Sequence, residues 1–250
     1  MRAPRRARLR AALVSACAAT ASAQELGGPS LSMMADTARF HEQVQTSRWN
    51  ANSMDYVDGV TSSVLQHPYT IVHDFLGDSF FVASFTLNHV VRLRMASTRS
   101  AQYKVFVSGS ELDGPVGMVV DGDVLFVASF TNDHVLRVNT TDGALLSRFG
   151  DSDILDCPEG IALNPHDGRL YVASFLLPHL AVFDPQSGAH LGSFGQSPRS
   201  SAAVPRPLKL HGAEDVAFDF HGAAHVTAYY SEMVHGGHFD LGRRVRQSSI

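Results

Sequence analysis

Three near-copies of one segment constrain the fold of this 250-residue chain more than any other feature. They read FFVASFTLNHVVRL, LFVASFTNDHVLRV and LYVASFLLPHLAVF, and they begin at positions 80, 125 and 170. Their shared valines, Val82, Val127 and Val172, are spaced 45 residues apart, and a weaker fourth copy places Val226 54 residues after the third. Similar segments at a fixed spacing of this size predict an array of repeated structural units.

Each copy predicts four short antiparallel strands. An opening turn leads into an apolar run that ends at an acidic or amide residue, and a glycine-containing turn then leads into the Val-Ala-Ser-Phe strand. A third strand begins at the recurring His, and a fourth ends in Phe-Gly, as at Phe149 and Gly150. Because the inner strands are apolar on both faces, neighbouring sheets must cover them, as propeller blades do. The predicted fold class is all-β.

The order of these elements resembles the NHL repeat, which is named after an Asn-His-Leu triplet. The triplets that carry the resemblance are Asn88-His89-Val90, Asp133-His134-Val135 and Pro178-His179-Leu180. The resemblance covers residues 56–250 and implies a β-propeller of NHL-like four-stranded blades, a family that usually closes with five or six blades. Four recognisable repeats leave two alternatives, a partial propeller or a small closed ring completed by an outer strand at Tyr56, Val57 and Val60.

The N-terminal segment is typical of a targeting sequence. Residues 1–23 carry five arginines and no acid, then an Ala-rich apolar run that ends in Ala21-Ser22-Ala23. This pattern predicts a secretory signal peptide, with an organelle transit peptide as the alternative. We expect residues 24–55 to form a linker with a short helix from Ser32, and residues 56–250 to form the propeller. No later segment has the ~18 apolar residues of a membrane span, so we expect none.

Charge and cysteine content argue against nucleic-acid binding and against an intrachain disulfide. The formal net charge of −4 would become −9 without the five leader arginines. An acidic body of this kind repels phosphate backbones, so nucleic acid is not an expected partner. Once Cys17 leaves with the leader, Cys157 stands alone, which predicts a buried thiol and no intrachain disulfide.

The recurring His residues, His89, His134 and His179, are the first candidate site. Three imidazoles and a water can hold a catalytic zinc ion. The resemblance adds a precedent, since secreted NHL-like lyases of C-terminal peptide amidation hold zinc with His residues near the propeller axis. The residues themselves favour a structural role. A His at the start of the third strand lies away from the innermost strand, and its ring can bond the neighbouring turn.

The second candidate site lies where the copies differ. The middle residue of each opening turn is Tyr69, Val116, Glu159 or Glu214, and His211 lies close to the last of these. These positions precede the innermost strands, at the mouth of the channel, so we predict that they form the ligand-binding face. Glu159 and Glu214 could also ligate calcium, as the resemblance to gluconolactonase-type lactonases implies.

These observations predict a secreted propeller that serves as a binding or scaffold module for a protein, peptide or glycan. The alternative is a metal-dependent propeller enzyme, similar to peptidyl-hydroxyglycine lyases or to lactonases, with calcium or zinc held by the carboxylates or imidazoles named above. The chain has no G-x-S-x-G elbow, no P-loop and no dinucleotide fingerprint, which favours the binding module.

Overall fold

Seventeen strands make up the part of the protein that the computed structural model describes, namely residues 46–49, 56–60, 63–97, 100–195, 210–229 and 233–237. The N-terminal strands are β1 (Thr46–Trp49) and β2 (Tyr56–Val60). The first repeat holds β3 (Pro68–Asp74), β4 (Ser79–Ser84), β5 (His89–Ser97) and β6 (Ser100–Ser108). The second holds β7 (Pro115–Asp121), β8 (Val124–Ser129), β9 (His134–Asn139) and β10 (Leu145–Phe149).

The third and fourth repeats follow the same plan. The third holds β11 (Pro158–Leu163), β12 (Leu170–Ser174), β13 (His179–Phe183) and β14 (His190–Phe194). The fourth holds β15 (Ala213–Phe218), β16 (Ala224–Ala228) and β17 (Met233–Gly237). In every repeat, consecutive strands pair antiparallel in sequence order, so each repeat is one meandering sheet. The predicted four-stranded blade is confirmed in the first three repeats, and the described residues of the fourth repeat form three strands.

The first strand of each sheet lies innermost. Strand β3 contacts β7, β7 contacts β11, and β11 contacts β15, so these four strands line a common axis while the later strands of each sheet extend away from it. Closure between the fourth sheet and the first is not seen among the described residues. The fold is therefore a set of radially arranged blades, and the partial ring remains consistent with it.

Hydrophobic clusters fill the spaces between neighbouring sheets. Strand β8 contributes Leu125 and Val127 to the cluster it shares with the first sheet, and Phe126 to the cluster it shares with the third. Strands β12 and β13 are buried along their whole length. Two-sided burial explains why these strands are apolar without alternation, because a polar residue on either face would lose its contact with water.

The N-terminal part of the described chain bears on one of the two alternatives for closure. The small closed ring requires Tyr56–Val60 to complete the last blade, but β2 pairs with β1 in a separate two-stranded sheet. Strand β1 lies within residues 24–55, for which we predicted a linker. The predicted signal peptide of residues 1–23 and the helix from Ser32 lie outside the described residues. No helix in the described ranges has the length and apolarity that a membrane crossing requires.

Candidate functional site

Four opening turns come together around one pocket at the start of the innermost strands. This channel-mouth pocket has a volume of about 440 Å³. Its lining includes the middle residue of each of the four opening turns, together with the neighbours Thr70, Gly117, Met118, Gly160, Ile161 and Asp215. The structure thus brings Tyr69, Val116, Glu159 and Glu214 together, as the repeat alignment predicts, whereas His211 is exposed and does not line the pocket.

Two glycines allow the innermost strands to approach this closely. A methyl group on Gly117 would collide with the carbonyl oxygen of Glu159 in the next blade. A methyl group on Gly160 would lie 2.5 Å from the Cα of Asp215. Glycine at a strand position of this kind marks a close approach of backbones. The same contacts that set the spacing of the blades therefore hold three carboxylates, on Glu159, Glu214 and Asp215, around one pocket.

The environment of the pocket alters the ionisation of Glu159. Burial, followed by the negative charges of Glu214 and Asp215, raises the pKa of Glu159 to about 8. Both effects disfavour the charged form, because desolvation and like charges each make a carboxylate less stable than its neutral acid. Glu159 is therefore mostly protonated at neutral pH, and a bound cation could take the place of its proton.

The four predicted residues contribute differently to the pocket. Tyr69 is 55% exposed, and its ring centroid lies 5.8 Å from that of Phe85. Val116 is 1% exposed and packs in a cluster with Ala128 and Phe130, so it supports the wall and offers little side-chain surface to a ligand. The aromatic and ionisable side chains in the lining are therefore one ring, that of Tyr69, and three carboxyl groups.

An aromatic layer that was not predicted from the sequence lies at the same end of the blades. The final residues of the Val-Ala-Ser-Phe strands, with Tyr229 at the corresponding place in the fourth repeat, are neighbours in space: the ring centroids of Phe85 and Phe130 are 6.1 Å apart, and those of Phe175 and Tyr229 are 6.2 Å apart. Tyr229 is 63% exposed. The sequence does indicate this aromatic layer, because a Phe directly follows the buried strand in each of the three clear copies of the repeat.

The recurring His residues each serve their own blade. The imidazole Nε2 donates to a backbone carbonyl oxygen in the segment that precedes the blade: His89 to Val64 at 2.6 Å, His134 to Glu111 at 2.7 Å and His179 to Ile154 at 2.9 Å. Burial also lowers the pKa of His179. These three separate bonds are of the kind that a structural role for the His residues predicts. A zinc site formed by the same three residues stays a prediction.

The serines of the Val-Ala-Ser-Phe strands make a second repeated contact. Each hydroxyl accepts from the backbone N–H of one residue and donates to the carbonyl oxygen of that same residue, with distances of 2.9 to 3.2 Å. The pairs are Ser84 with Gln66, Ser129 with Asp113 and Ser174 with Asp156. The serines therefore fix the chain ahead of each opening turn.

The first residue of the triplet links one blade to the next. The side-chain oxygen of Asn88 accepts from the Gly114 N–H at 2.9 Å, and that of Asp133 accepts from the Cys157 N–H at 3.0 Å. We call these two contacts the inter-blade bonds. Both acceptors have a positive φ, 52° and 56°, a conformation that Asn and Asp tolerate better than most residues. Pro178 occupies this place in the third copy and has no side-chain acceptor.

One further group of potential metal ligands lies beside the second inter-blade bond. Asp133, Asp156 and Cys157 are buried and bring their ligand atoms within 4.8 Å of one another. Within the described ranges this is the one such group of three, so the predicted sets built from His89, His134, His179, Glu159 and Glu214 do not form one. The Asp133 carboxylate already bonds the Cys157 N–H, which gives the group a structural role.

Comparisons with known proteins support the fold. No family model and no curated protein matches the sequence. Among solved structures, virginiamycin B lyase from Staphylococcus aureus is similar at a TM-score of 0.61 and 14% identity, covering 82% of this chain and 62% of that one.

Two further solved structures resemble the chain. A putative 6-phosphogluconolactonase from Bacteroides uniformis gives a TM-score of 0.61 at 14% identity and covers 81% and 62% of the two chains. A chain of a nidogen/laminin complex gives 0.58 at 17% identity and covers 78% and 67%. The chain thus spans about three fifths of the length of the first two structures. At these identities the likeness shows the fold alone, and that fold is a β-propeller.

Proposed function

We propose that this β-propeller is a binding module whose channel-mouth pocket receives a positively charged group of a peptide or protein ligand. One observation carries the proposal: the pocket of about 440 Å³ is lined by Glu159, Glu214 and Asp215, and Glu159 has a pKa raised to about 8. Its size is within the range of small-ligand pockets, roughly 300 to 1,000 Å³.

The charge of the pocket supports a cationic ligand. Like-charged carboxylates in a partly buried site repel each other, and either a proton or a bound cation removes that repulsion. A lysine or arginine side chain would displace the Glu159 proton and form charge-assisted hydrogen bonds to the oxygens that remain. Tyr69 adds an exposed ring beside them, and aromatic rings attract cations through their electron-rich faces.

The position of the pocket supports a macromolecular ligand. The pocket opens at the end of the blades where the exposed rings of Tyr69 and Tyr229 lie, and exposed aromatic side chains are enriched at protein interfaces. A chain of similar fold occurs in a nidogen/laminin complex, that is, with a protein partner. We also propose that the module is secreted, on the strength of the Arg-rich leader pattern in residues 1–23.

Titration of the purified protein with amidated pentalysine and penta-arginine peptides tests this proposal. We expect saturable binding that strengthens as the pH rises through about 8, because the Glu159 proton competes with the cation. Glu159→Gln together with Glu214→Gln should abolish it. The matched control is Asp123→Asn, an exposed carboxylate outside the pocket, which should bind like the wild type. Equal weakening by the control, or no binding at low salt, would refute the proposal.

A metal-dependent enzyme is the second candidate, and the raised pKa of Glu159 favours it because a carboxyl group that titrates near neutral pH suits proton transfer. The three carboxylates of the pocket supply the oxygen ligands that calcium, a hard cation, takes, but their oxygens do not all lie within 4.8 Å of one another, so a bound ion would have to draw them closer. The imidazoles fit zinc less well, because each Nε2 is already bonded to a carbonyl. Stoichiometric metal in elemental analysis, with metal-dependent turnover of lactones or peptidyl-hydroxyglycines, would replace the binding module with this function.

A further inference from the structure

A second cavity lies at the outer edge of the propeller, between the first two blades. It has a volume of about 410 Å³ and is lined by residues of β5, β6 and the turn between β9 and β10: Arg92, Arg94, Gln102, Lys104, Val105, Phe106, Thr141 and Asp142. We call it the seam groove. It shares no residue with the channel-mouth pocket.

The strand register explains why positive charges gather in the seam groove. Arg92 pairs with Lys104 across β5 and β6, and Arg94 pairs with Gln102 two residues further along. Side chains of paired residues, and of residues two positions apart, project from the same face of a sheet. Arg92, Arg94 and Lys104 therefore share the face that is turned toward the second blade.

Arg92 forms the floor of the groove and is already compensated. It is 8% exposed, its guanidinium lies 3.5 Å from the Asp74 carboxylate, and its Nη1 donates to the Thr141 carbonyl oxygen at 3.2 Å. The guanidinium also lies over the rings of Phe106 and Phe81, at 4.1 and 4.9 Å from their centroids. These contacts fix its position and connect the first blade to the second.

Arg94 and Lys104 are not compensated in this way. Within the described ranges neither forms an ion pair, and both are exposed. The one carboxylate in the lining is that of Asp142, which accepts the Ala144 N–H at 2.9 Å. Like charges on opposed and diagonal strand positions destabilise a sheet. An anion that bridges Arg94 and Lys104 would remove this repulsion.

We propose that the seam groove binds an acidic sugar, a sugar ring that carries a carboxylate or a sulfate group. The anionic group would lie between Arg94 and Lys104, which offer charge-assisted hydrogen bonds. Gln102 supplies an amide that can bond sugar hydroxyls, and Phe106, one face of which is covered by the Arg92 guanidinium, adds apolar surface to the lining. The volume accommodates a ring in addition to its anionic group, so the groove is larger than a free sulfate ion requires.

The net charge of the whole chain means that the binding of an acidic glycan would depend on the cations of this groove. A chain of formal net charge −4 repels polyanions in general, so binding of an acidic glycan must come from a local group of cations. This inference does not depend on the proposed function, because the two pockets share no lining residue and attract ligands of opposite charge.

Titration of the purified full chain with a heparin-derived tetrasaccharide, followed by calorimetry and by amide NMR shifts, tests the inference. We expect saturable binding, shifts at Gln102 and Lys104, and at least about tenfold weaker affinity when Arg94→Gln and Lys104→Gln are combined, since each removes a charge-assisted contact. The matched control is Arg148→Gln, an exposed arginine on the outer strand of the next blade. It should retain wild-type affinity. Thermal unfolding midpoints of all variants report whether the fold is intact.

Three results would overturn the inference. The first is the absence of tetrasaccharide binding at low ionic strength. The second is equal weakening by Arg148→Gln, which would show attraction to any surface cation. The third is equal affinity for inorganic sulfate or phosphate, which would show that the groove recognises an anion and no sugar. Retained pentalysine binding by the Arg94→Gln, Lys104→Gln variant would show that the channel-mouth pocket is independent of this outcome.

Discussion

The channel-mouth pocket and the seam groove have nearly the same volume, about 440 and 410 Å³, and opposite charge. The first lies where the four innermost strands begin, and the second lies where the outer strands of one blade meet a turn of the next. Neither is built from the residues that recur in every blade. The recurring His and Ser side chains bond the backbone, while Glu159 and Glu214 in one pocket and Arg94 and Lys104 in the other occur where the copies differ. The comparison indicates that the recurring residues maintain the blades, whereas the residues that we propose for recognition occur where the copies differ.

The largest expected effect comes from replacing Arg92, the buried cation of the seam groove. Arg92→Leu should destabilise the fold by about 3 to 5 kcal/mol, because it leaves the Asp74 carboxylate, 1% exposed, without its cation. Urea unfolding monitored by circular dichroism measures the loss. Adding Asp74→Asn should recover part of it, and no recovery would show that the lost packing on Phe106 dominates.

Glu159 in the channel-mouth pocket predicts a pH dependence of stability. Because the pKa of Glu159 is raised from 4.5 to about 8, the folded state holds this proton more tightly than the unfolded chain does. The contribution of Glu159 to stability is therefore fully present below pH 4.5, is lost as the pH rises from 4.5 toward 8, and is absent above. We expect a decrease on the order of 3 kcal/mol, and Glu159→Gln should remove it. An unchanged pH profile in denaturant titrations of this variant would contradict the assignment.

The inter-blade bonds can be removed separately, one interface between blades at a time. Asn88→Ala removes the bond to Gly114 in the seam that holds the groove, and Asp133→Ala removes the bond to Cys157 in the next seam. Each should cost about 2 kcal/mol, since a largely buried N–H loses its acceptor. Pro178→Ala, at the same place in the third copy, is the matched control and should change stability little. Equal losses at all three positions would contradict the role of these bonds.

The smallest expected effect concerns ligand affinity at the channel mouth. Tyr69→Leu keeps the apolar bulk and removes the ring, so it should weaken pentalysine binding by less than about tenfold, because an exposed cation–π contact contributes roughly 0.5 to 1 kcal/mol. It should leave tetrasaccharide binding at the seam groove unchanged. Calorimetric titration with both probes measures this separation, and parallel losses for the two ligands would contradict it.

Much of the fold could be predicted from the repeat. The 45-residue spacing of Val82, Val127 and Val172, with apolar residues on both strand faces, predicts stacked four-stranded sheets, and the structure has them. The convergence of Tyr69, Glu159 and Glu214 was also predictable, because equivalent positions on innermost strands must meet around an axis. The pairing of β2 with β1 was not, since short strands without a repeated pattern offer several partners.

The seam groove was not predictable, and the reason is physical. Its cations come together through the register of β5 with β6, which pairs Arg92 with Lys104. Its floor depends on the bond from Arg92 to the Thr141 carbonyl, a contact between residues 49 positions apart in different blades. A single sequence carries no mark of either, because a one-residue change of register would place the same charges on the opposite face.

The inter-blade bonds also give the propeller a direction during biosynthesis. In each bond the acceptor side chain lies in the earlier blade, and the donor amide follows it by 24 or 26 residues. A ribosome therefore releases Asn88 and Asp133 before the groups that they bind. The second and third blades each supply an N–H to an acceptor that the preceding blade already presents. Assembly of these blades can therefore proceed from the N-terminal side onward as the chain grows.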